Sequence, residues 1–473
     1  MKKMIWIGSL LLLFSCSDFL TVNDPTQIAN DEVLNNLDNA ELATVGLYNY
    51  MVTEQSMYDE FIYVYPELMA GNITPNPDLA LTVNEINRYV NLYQFNARED
   101  DDGLIGSLYG SYYELIMAAS NIIEAVPLIE DVRTDLKNAL IAEASAIRAL
   151  AYFFLLQWYG QDVAYSNGAN HPGVPIISER SDLFATRARN TVAEVYLLIE
   201  TDLRRSADLW NTSAIRSANS RFWLNEDAIW GLLSRVYLYQ GKYQQAIAAA
   251  DSCLQNTNLS LLPSDQLLSD WGNQQLSETL WTLSADFALS TGINSLYGSN
   301  IANEEQEFVI SADLRSIFES DDVRLSDLMI RNTLGLWSTA KYPFAVNQKA
   351  LKPIIRLSEV YLNRAEANIQ LGGTAEARAD LERIILQSGS WTDLSNIANE
   401  DLWSFLQLER RRELAFEGHA FLDLRRWQQS IERNDYPDEL MNADMAYPSD
   451  FFVLPLPQSA LIQNPSLMQN PSY

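Results

Sequence analysis

The chain has almost no histidine and almost no cysteine. Its 473 residues include two of each, His171 and His419, Cys16 and Cys253. Catalysis that leans on a histidine base has almost no material here. No Cys/His cluster has zinc spacing and no calcium-loop pattern appears, so neither a metal nor a cofactor is expected. Positive charge is scarce too: 32 Lys and Arg stand against 62 Asp and Glu, for a net charge of −30. That argues against nucleic acid as a partner and against docking on an anionic lipid surface, both of which need a basic footprint. An acidic coat is first of all a device for solubility. After Phe14 no apolar run reads as long enough to cross a membrane.

What is present begins at the N-terminus. Lys2 and Lys3 precede an apolar run, Met4 to Phe14, that is too short to span a bilayer permanently. It ends in Leu13-Phe14-Ser15-Cys16, which looks like a bacterial lipobox, although Phe14 is bulkier than the usual residue there. Residues 1–15 then read as a lipoprotein signal peptide and Cys16 as the lipid attachment point; the alternative is an ordinary signal peptide cut elsewhere. Losing Lys2 and Lys3 with the leader takes the charge from −30 to −32. A lipidated Cys16 leaves Cys253 without a partner, so no disulfide framework is expected. The fold must rest on its core, and a hydrophobic fraction of 48% can supply one. The mature chain is anchored to a membrane rather than spanning it.

The dominant periodicity is helical. In Glu143 to Tyr159, residues Ile147, Leu150, Ala151, Phe154, Leu155 and Trp158 share one face, and Gly160 is a natural stop. Leu233, Tyr237, Gly241, Tyr243, Ala246 and Ala250 recur at the spacing of a tetratricopeptide repeat, as do Tyr361, Ala365, Ala367, Gly372, Ala375, Ala377 and Leu381. Weaker helical stretches cover Asn39 to Val52 and Tyr109 to Val126. The fold class is mostly α: about four tetratricopeptide-like helix pairs forming a solenoid, in a single domain over 16–473, with long inserts of loop and short strand near 66–102 and 259–344. The second insert holds an expected strand, Thr279 to Ser284. The proline-rich tail, Tyr447 to Tyr473, carries Phe451, Phe452, Val453, Leu454 and Leu456, which favour strapping across the body.

Glu409, Glu413 and Glu417 stand at successive i,i+4 positions, where like charges repel. A glycosidase would use two such carboxylates as acid and nucleophile. Surrounding arginines would depress both pKa values and disable the acid. A structural ion-pair network is the better reading, with Arg425, Arg426, Arg148 and Arg364 as candidate partners.

These strings resemble the SusD/RagB lipoproteins of the Bacteroidetes outer membrane. The resemblance covers nearly the whole chain: Cys16-Ser17-Asp18-Phe19-Leu20, Asn23-Asp24-Pro25, Ala142-Glu143-Ala144, Gly173-Val174-Pro175, Asp321-Asp322-Val323-Arg324 and Ile355 to Ala367. It is most specific in Arg411-Arg412-Glu413-Leu414-Ala415-Phe416-Glu417-Gly418-His419 and Asp423-Leu424-Arg425-Arg426-Trp427. It implies a non-catalytic surface protein that captures oligosaccharides, or oligopeptides in the RagB branch, for a SusC-like TonB-dependent transporter. The matched strings are scaffold and name no ligand. Chemistry selects candidates instead, since sugars stack on flat aromatics flanked by amides and hydroxyls. Tyr89, Asn91 and Tyr93 in the first insert, and Trp271, Tyr297 and Trp337 in the second, are the expected ligand-binding residues. Trp281 alternates within the expected strand and belongs to the core.

Overall fold

In a computed structural model the described residues are 34–52, 60–76, 86–177, 186–210, 220–283, 293, 297, 307–331, 335–342, 350–433 and 444–473. The leader, Cys16 and the strings through Pro25 lie outside them. The chain is mainly helical: α1 (Leu37–Val52), α2 (Glu60–Met69), α3 (Ile86–Tyr93), α4 (Ser107–Ala125), α5 (Thr134–Tyr159), α6 (Val192–Trp210), α7 (Glu226–Tyr239), α8 (Tyr243–Asn256), α9 (Leu357–Gln370), α10 (Thr374–Ser388), α11 (Leu402–Glu413) and α12 (Ala420–Arg426). From α4 to α10 each helix packs on the next. The α7–α8 and α9–α10 turns fall at Gly241 and Gly372, with φ of 68° and 82°. Only glycine reaches that region without strain, so the spacing that marks these pairs in the sequence has a backbone cause. Alanines at the helix contacts, among them Ala246, Ala250, Ala365 and Ala377, are fully buried and let the pairs approach closely.

Helix α5 departs from the sequence reading. It is long and apolar enough to cross a membrane by length and composition, where no such run was expected, yet that stretch is wholly buried. It is apolar all round because it is the central core helix, covered by α4 on one side and α6 on the other. Its buried Arg148 is neutralised by Asp202 on α6, with Nε 2.7 Å from Oδ2.

The last carbonyls of any helix lack partners within it. At the end of α5 they are met by distant residues. Arg425 Nη1 donates to the Gln157 carbonyl. Leu454 N donates to Trp158 O at 2.7 Å. Arg189 Nη2 and Asn470 Nδ2 both donate to Tyr159 O, at 2.8 and 3.1 Å. The C-terminal tail is therefore strapped across the body, with Phe452, Val453, Leu454 and Leu456 buried and Phe451 half-buried.

The strands are short, and all but the last lie in the inserts. β1 (Ile73–Pro75) pairs antiparallel with β3 (Phe308–Ile310), Ile73 opposite Ile310 and Pro75 opposite Phe308. β2 (Thr279–Leu283) pairs with β6 (Lys352–Arg356), which runs straight into α9. β4 (Met329–Arg331) and β5 (Trp337–Thr339) form a hairpin. The β1–β3 ladder joins the two inserts, although its two strands are more than two hundred residues apart in the chain.

Candidate functional site

The three glutamates are buried, and a void that Glu417 borders is only about 20 Å³. Helix α11 stops at Glu413, and the chain turns through Phe416 and Gly418, with φ of 70° and 84°. A Cβ on Gly418 would lie 2.1 Å from the Ile62 carbonyl oxygen, so only glycine admits the turn that aims Glu417 inward. Glu417 is thus off the helix face that the spacing suggested, and it converges with Glu413 through this turn. Arg356 reaches both: Nε lies 2.6 Å from Glu417 Oε2, and Nη2 lies 2.9 Å from Glu413 Oε1. Its Nη1 contacts Glu278. Arg324 pairs with Glu409 at 2.8 Å, Glu413 at 3.0 Å and Asp322 at 2.7 Å. Lys341 Nζ donates to Glu417 at 2.7 Å.

The network is the expected kind, but its cations are Arg324, Lys341 and Arg356. The four arginines expected there serve elsewhere: Arg148 pairs with Asp202, Arg364 with Asp380 and Asp251, Arg426 with Glu366 and Asp423, and Arg425 caps α5. Sequence spacing could not name Arg356, which arrives from a strand on another part of the chain. Burial pushes the Glu413 pKa up, but Arg356, Arg324 and Lys341 outweigh it and hold the group at about 2. Glu417 is lowered by Arg356 and Lys341 against the same burial. Neither carboxyl can serve as a general acid.

Of the six residues expected to bind ligand, four are core. Tyr89 is 1% exposed and packs edge-on against Phe308 of β3. Tyr93 is fully buried under the Arg433 guanidinium, 3.9 Å from its ring centre. Tyr297 stacks on Tyr342, and its hydroxyl donates to Tyr63 O at 2.7 Å. Trp271 covers the ion-pair network, with Lys341 and Arg356 at 5.1 and 5.3 Å from its ring. The expectation for these four is corrected. They come from polar-looking inserts, but the β1–β3 ladder and the network gave their rings a buried place to pack. Trp281, assigned to the core, is fully buried.

Two remain at the surface. Asn91 is exposed on α3. Trp337 is half-buried at the start of β5, with the guanidinium groups of Arg315 and Arg331 at 4.7 and 6.0 Å from its ring. Sequence reasoning missed both arginines, because they approach Trp337 through the hairpin and a preceding short helix. β5 packs on β3, so Trp337 stands where the inserts meet.

Among the described residues two larger cavities stand out. One, about 650 Å³, lies between α4 and the strap, bordered by Tyr109, Gly110, Tyr113, Pro175, Pro457 and Leu467. Nothing would meet a Cβ on Gly110 within 4 Å, so the glycine leaves the floor open. The i,i+4 pair Tyr109 and Tyr113 is the signal the sequence carries, inside the stretch Tyr109 to Val126 whose periodicity reads only as helix. The other, about 380 Å³, lies beside α11 and α12 and includes Arg410, Arg411, His419 and Trp427. His419 sits among Arg235, Arg410 and Glu359; burial, aided by the two arginines, pulls its pKa down to about 3 and keeps it neutral. Among the described residues no group of His, Cys, Asp and Glu is arranged to hold a metal.

Residues 345–473 match the model of the SusD family, and residues 19–238 match a family described as starch-binding and associating with the outer membrane. The chain belongs to the SusD family. A SusD-like protein of Formosa agariphila is 24% identical, over 98% of this chain and 97% of its own. The solved structure of a SusD superfamily protein from Bacteroides thetaiotaomicron superposes with a TM-score of 0.82 at 27% identity, covering 92% of this chain and 100% of that one. A candidate sugar binding protein from Bacteroides vulgatus gives 0.80 at 26% identity, over 93% and 99%. The strings that mark a SusD-family sequence do structural work here: Glu413, Glu417 and Gly418 build the network and its turn, and Arg425 caps the central helix.

Proposed function

We propose that the protein is a non-catalytic cell-surface lipoprotein, anchored to the outer membrane through Cys16, that captures oligosaccharides and passes them to a SusC-like TonB-dependent transporter. The observation that carries the ligand class is Trp337 with Arg315 and Arg331 where the two inserts join. The exposed part of the indole offers apolar contact to a sugar ring, and the guanidinium groups packed over the ring offer donors to hydroxyls. The starch-binding description of the family and the sugar-binding neighbour support the same class. One ring with its flanking donors gives modest affinity, which suits a protein that must release its ligand. The neutralised glutamates support the absence of hydrolysis.

A second reading is oligopeptide capture. It is favoured by one observation: four of the five expected stacking aromatics are buried, so among the described residues these five leave Trp337 without the row of rings a long glycan would use. Calorimetry of the full chain in detergent against oligosaccharide and oligopeptide panels tests the proposal. Saccharide binding without hydrolysis is the expected result. Binding of peptides alone selects the second reading, and turnover of any ligand overturns both.

A further inference from the structure

Trp391, in the connection between α10 and α11, is 90% exposed. Tryptophan is highly buried on average, so an indole left open to water on both faces calls for a cause. A loose loop is not the cause, because this one is braced along its length. Ser388 before the ring and Leu394 after it are buried. Trp391 N donates to Asp321 Oδ2 at 2.9 Å, Ser390 N to Ser388 Oγ at 3.2 Å, and Ser395 N to Asp393 Oδ1 at 2.9 Å. The Ser390 and Thr392 hydroxyls bond each other at 2.9 Å, and Arg378 donates to the Leu394 and Ile397 carbonyls. A fixed backbone thus holds the ring out in solvent, which keeps the ordering cost of binding low. Asp321 belongs to the insert that carries Trp337, so one insert positions both indoles.

We infer that Trp391 is a stacking platform for an uncharged sugar ring, additional to Trp337; the inference rests on the oligosaccharide reading above. Size, polarity and charge select that occupant. A sugar ring has an apolar C–H face that matches an indole, and hydroxyls around its edge. The groups next to Trp391 are the exposed carboxylates of Asp321 and Asp393 and the hydroxyls of Ser390 and Thr392, which suit hydroxyl partners. The two acids repel a uronic or sulfated sugar, and Arg378 is already engaged by the loop carbonyls. A protein partner covers about 800 Å² on each side. Among the described residues the exposed large apolar side chain nearest to Trp391 in the chain is Leu386, in the last turn of α10, so the apolar area on offer is that of one or two side chains.

The full chain labelled with fluorotryptophan, in detergent, is titrated with cellohexaose, maltohexaose and hexagalacturonate, and its fluorine spectrum is read. The Trp391 resonance is the one missing from Trp391→Phe. At least one of the two uncharged hexasaccharides should shift that resonance, and hexagalacturonate should leave it in place. By calorimetry, Trp391→Ala should weaken binding of that hexasaccharide about two- to tenfold, with the melting temperature unchanged because the side chain packs on nothing that it would release. Trp391→Tyr, which keeps a flat ring, should recover part of the loss. No shift with either uncharged hexasaccharide, equal binding by Trp391→Ala and the parent, or a shift as large with hexagalacturonate overturns the inference. If the parent still binds a saccharide in the calorimetry above, the proposed function stands without it; if the parent binds none, both fall.

Discussion

Arg356 Nε lies 2.6 Å from Glu417 Oε2, although the two residues are 61 apart in the chain and both are buried. Arg356 closes strand β6, and Glu417 sits in the turn after α11. The same guanidinium spans Glu278, Glu413 and Glu417, so it ties the second insert, the α9 pair and the α11 turn into one unit. Glu278 adds a link to α10 by accepting from Gln387.

Breaking that unit should be costly. Arg356→Gln leaves buried carboxylates without a counter-charge and should lower stability by about 3–5 kcal/mol, with Glu413→Ala in the same range. Urea denaturation measures it. Ligand affinity of the fraction that folds should stay at the parental value, since the network is buried and the void beside Glu417, about 20 Å³, is too small for a ligand. A loss below about 1 kcal/mol would show that the network is hydrated and weak.

Binding and packing aromatics should separate cleanly. Trp337→Ala should lower oligosaccharide affinity with little change in melting temperature. Tyr297→Phe should do the reverse, losing about 0.5–1.5 kcal/mol of stability with its hydrogen bond to Tyr63 and leaving binding alone. Equal binding by Trp337→Ala and the parent would place the ligand elsewhere, with the groove of Tyr109 and Tyr113 the next surface to test.

Stability should be nearly level between pH 6.5 and 4.5 and fall steeply below. His419 is held neutral down to about pH 3, so from pH 6.5 downward the unfolded chain takes up a proton that the folded one refuses, and stability drops. Burial pushes Glu278 up to about 7, so over pH 7 to 4.5 the folded chain holds a proton that the unfolded one releases, and stability rises as pH falls; burial raises Glu67 in the same direction. These slopes oppose each other. Below pH 4.5 the lowered Glu413 and Glu417 join His419, and all three act against the fold. His419→Gln should unmask the opposite slope, gaining up to about 1.4 kcal/mol per pH unit for each proton between pH 6.5 and 5. Urea midpoints at fixed pH steps provide the check, and a variant whose slope matches the parent would contradict it.

Anchoring should depend on one thiol. Cys16→Ala should give a folded protein that no longer partitions into detergent or sediments with membranes in cells lacking the transporter. Retained partition there would remove Cys16 from the anchor.

The strap should be a structural clamp. Asn470 joins Tyr159 O, Leu454 O at 2.7 Å and Arg189 at 2.7 Å, so Asn470→Ala strands several buried groups and should cost about 1–3 kcal/mol by thermal or urea unfolding.

The helix pairs were legible because their causes are local. Apolar residues at helical spacing and glycines at positive-φ turns act within a few residues of themselves, so α5, the Gly241 and Gly372 pairs and strand β2 could be read directly, with ends shifted by a few residues. The burial of Glu413 and Glu417 was legible for a similar reason, since a row of like charges is tenable only with cations against it. Which cations answer depends on segments 57 to 89 residues away, and which aromatics face water depends on segments hundreds of residues apart. Asn91 and Tyr93 are two residues apart on one short helix, and the sequence treats them alike; the β1–β3 ladder and Arg433 bury Tyr93 and leave Asn91 outside. Trp271 and Trp337 look alike in an insert, yet one covers a buried guanidinium and the other stands at a hairpin surface between two. The sequence determined the helical scaffold, the ion pairing and the family. Tertiary structure alone decided what the surface offers a ligand, because burial is a property of what packs against a residue and not of the residue itself.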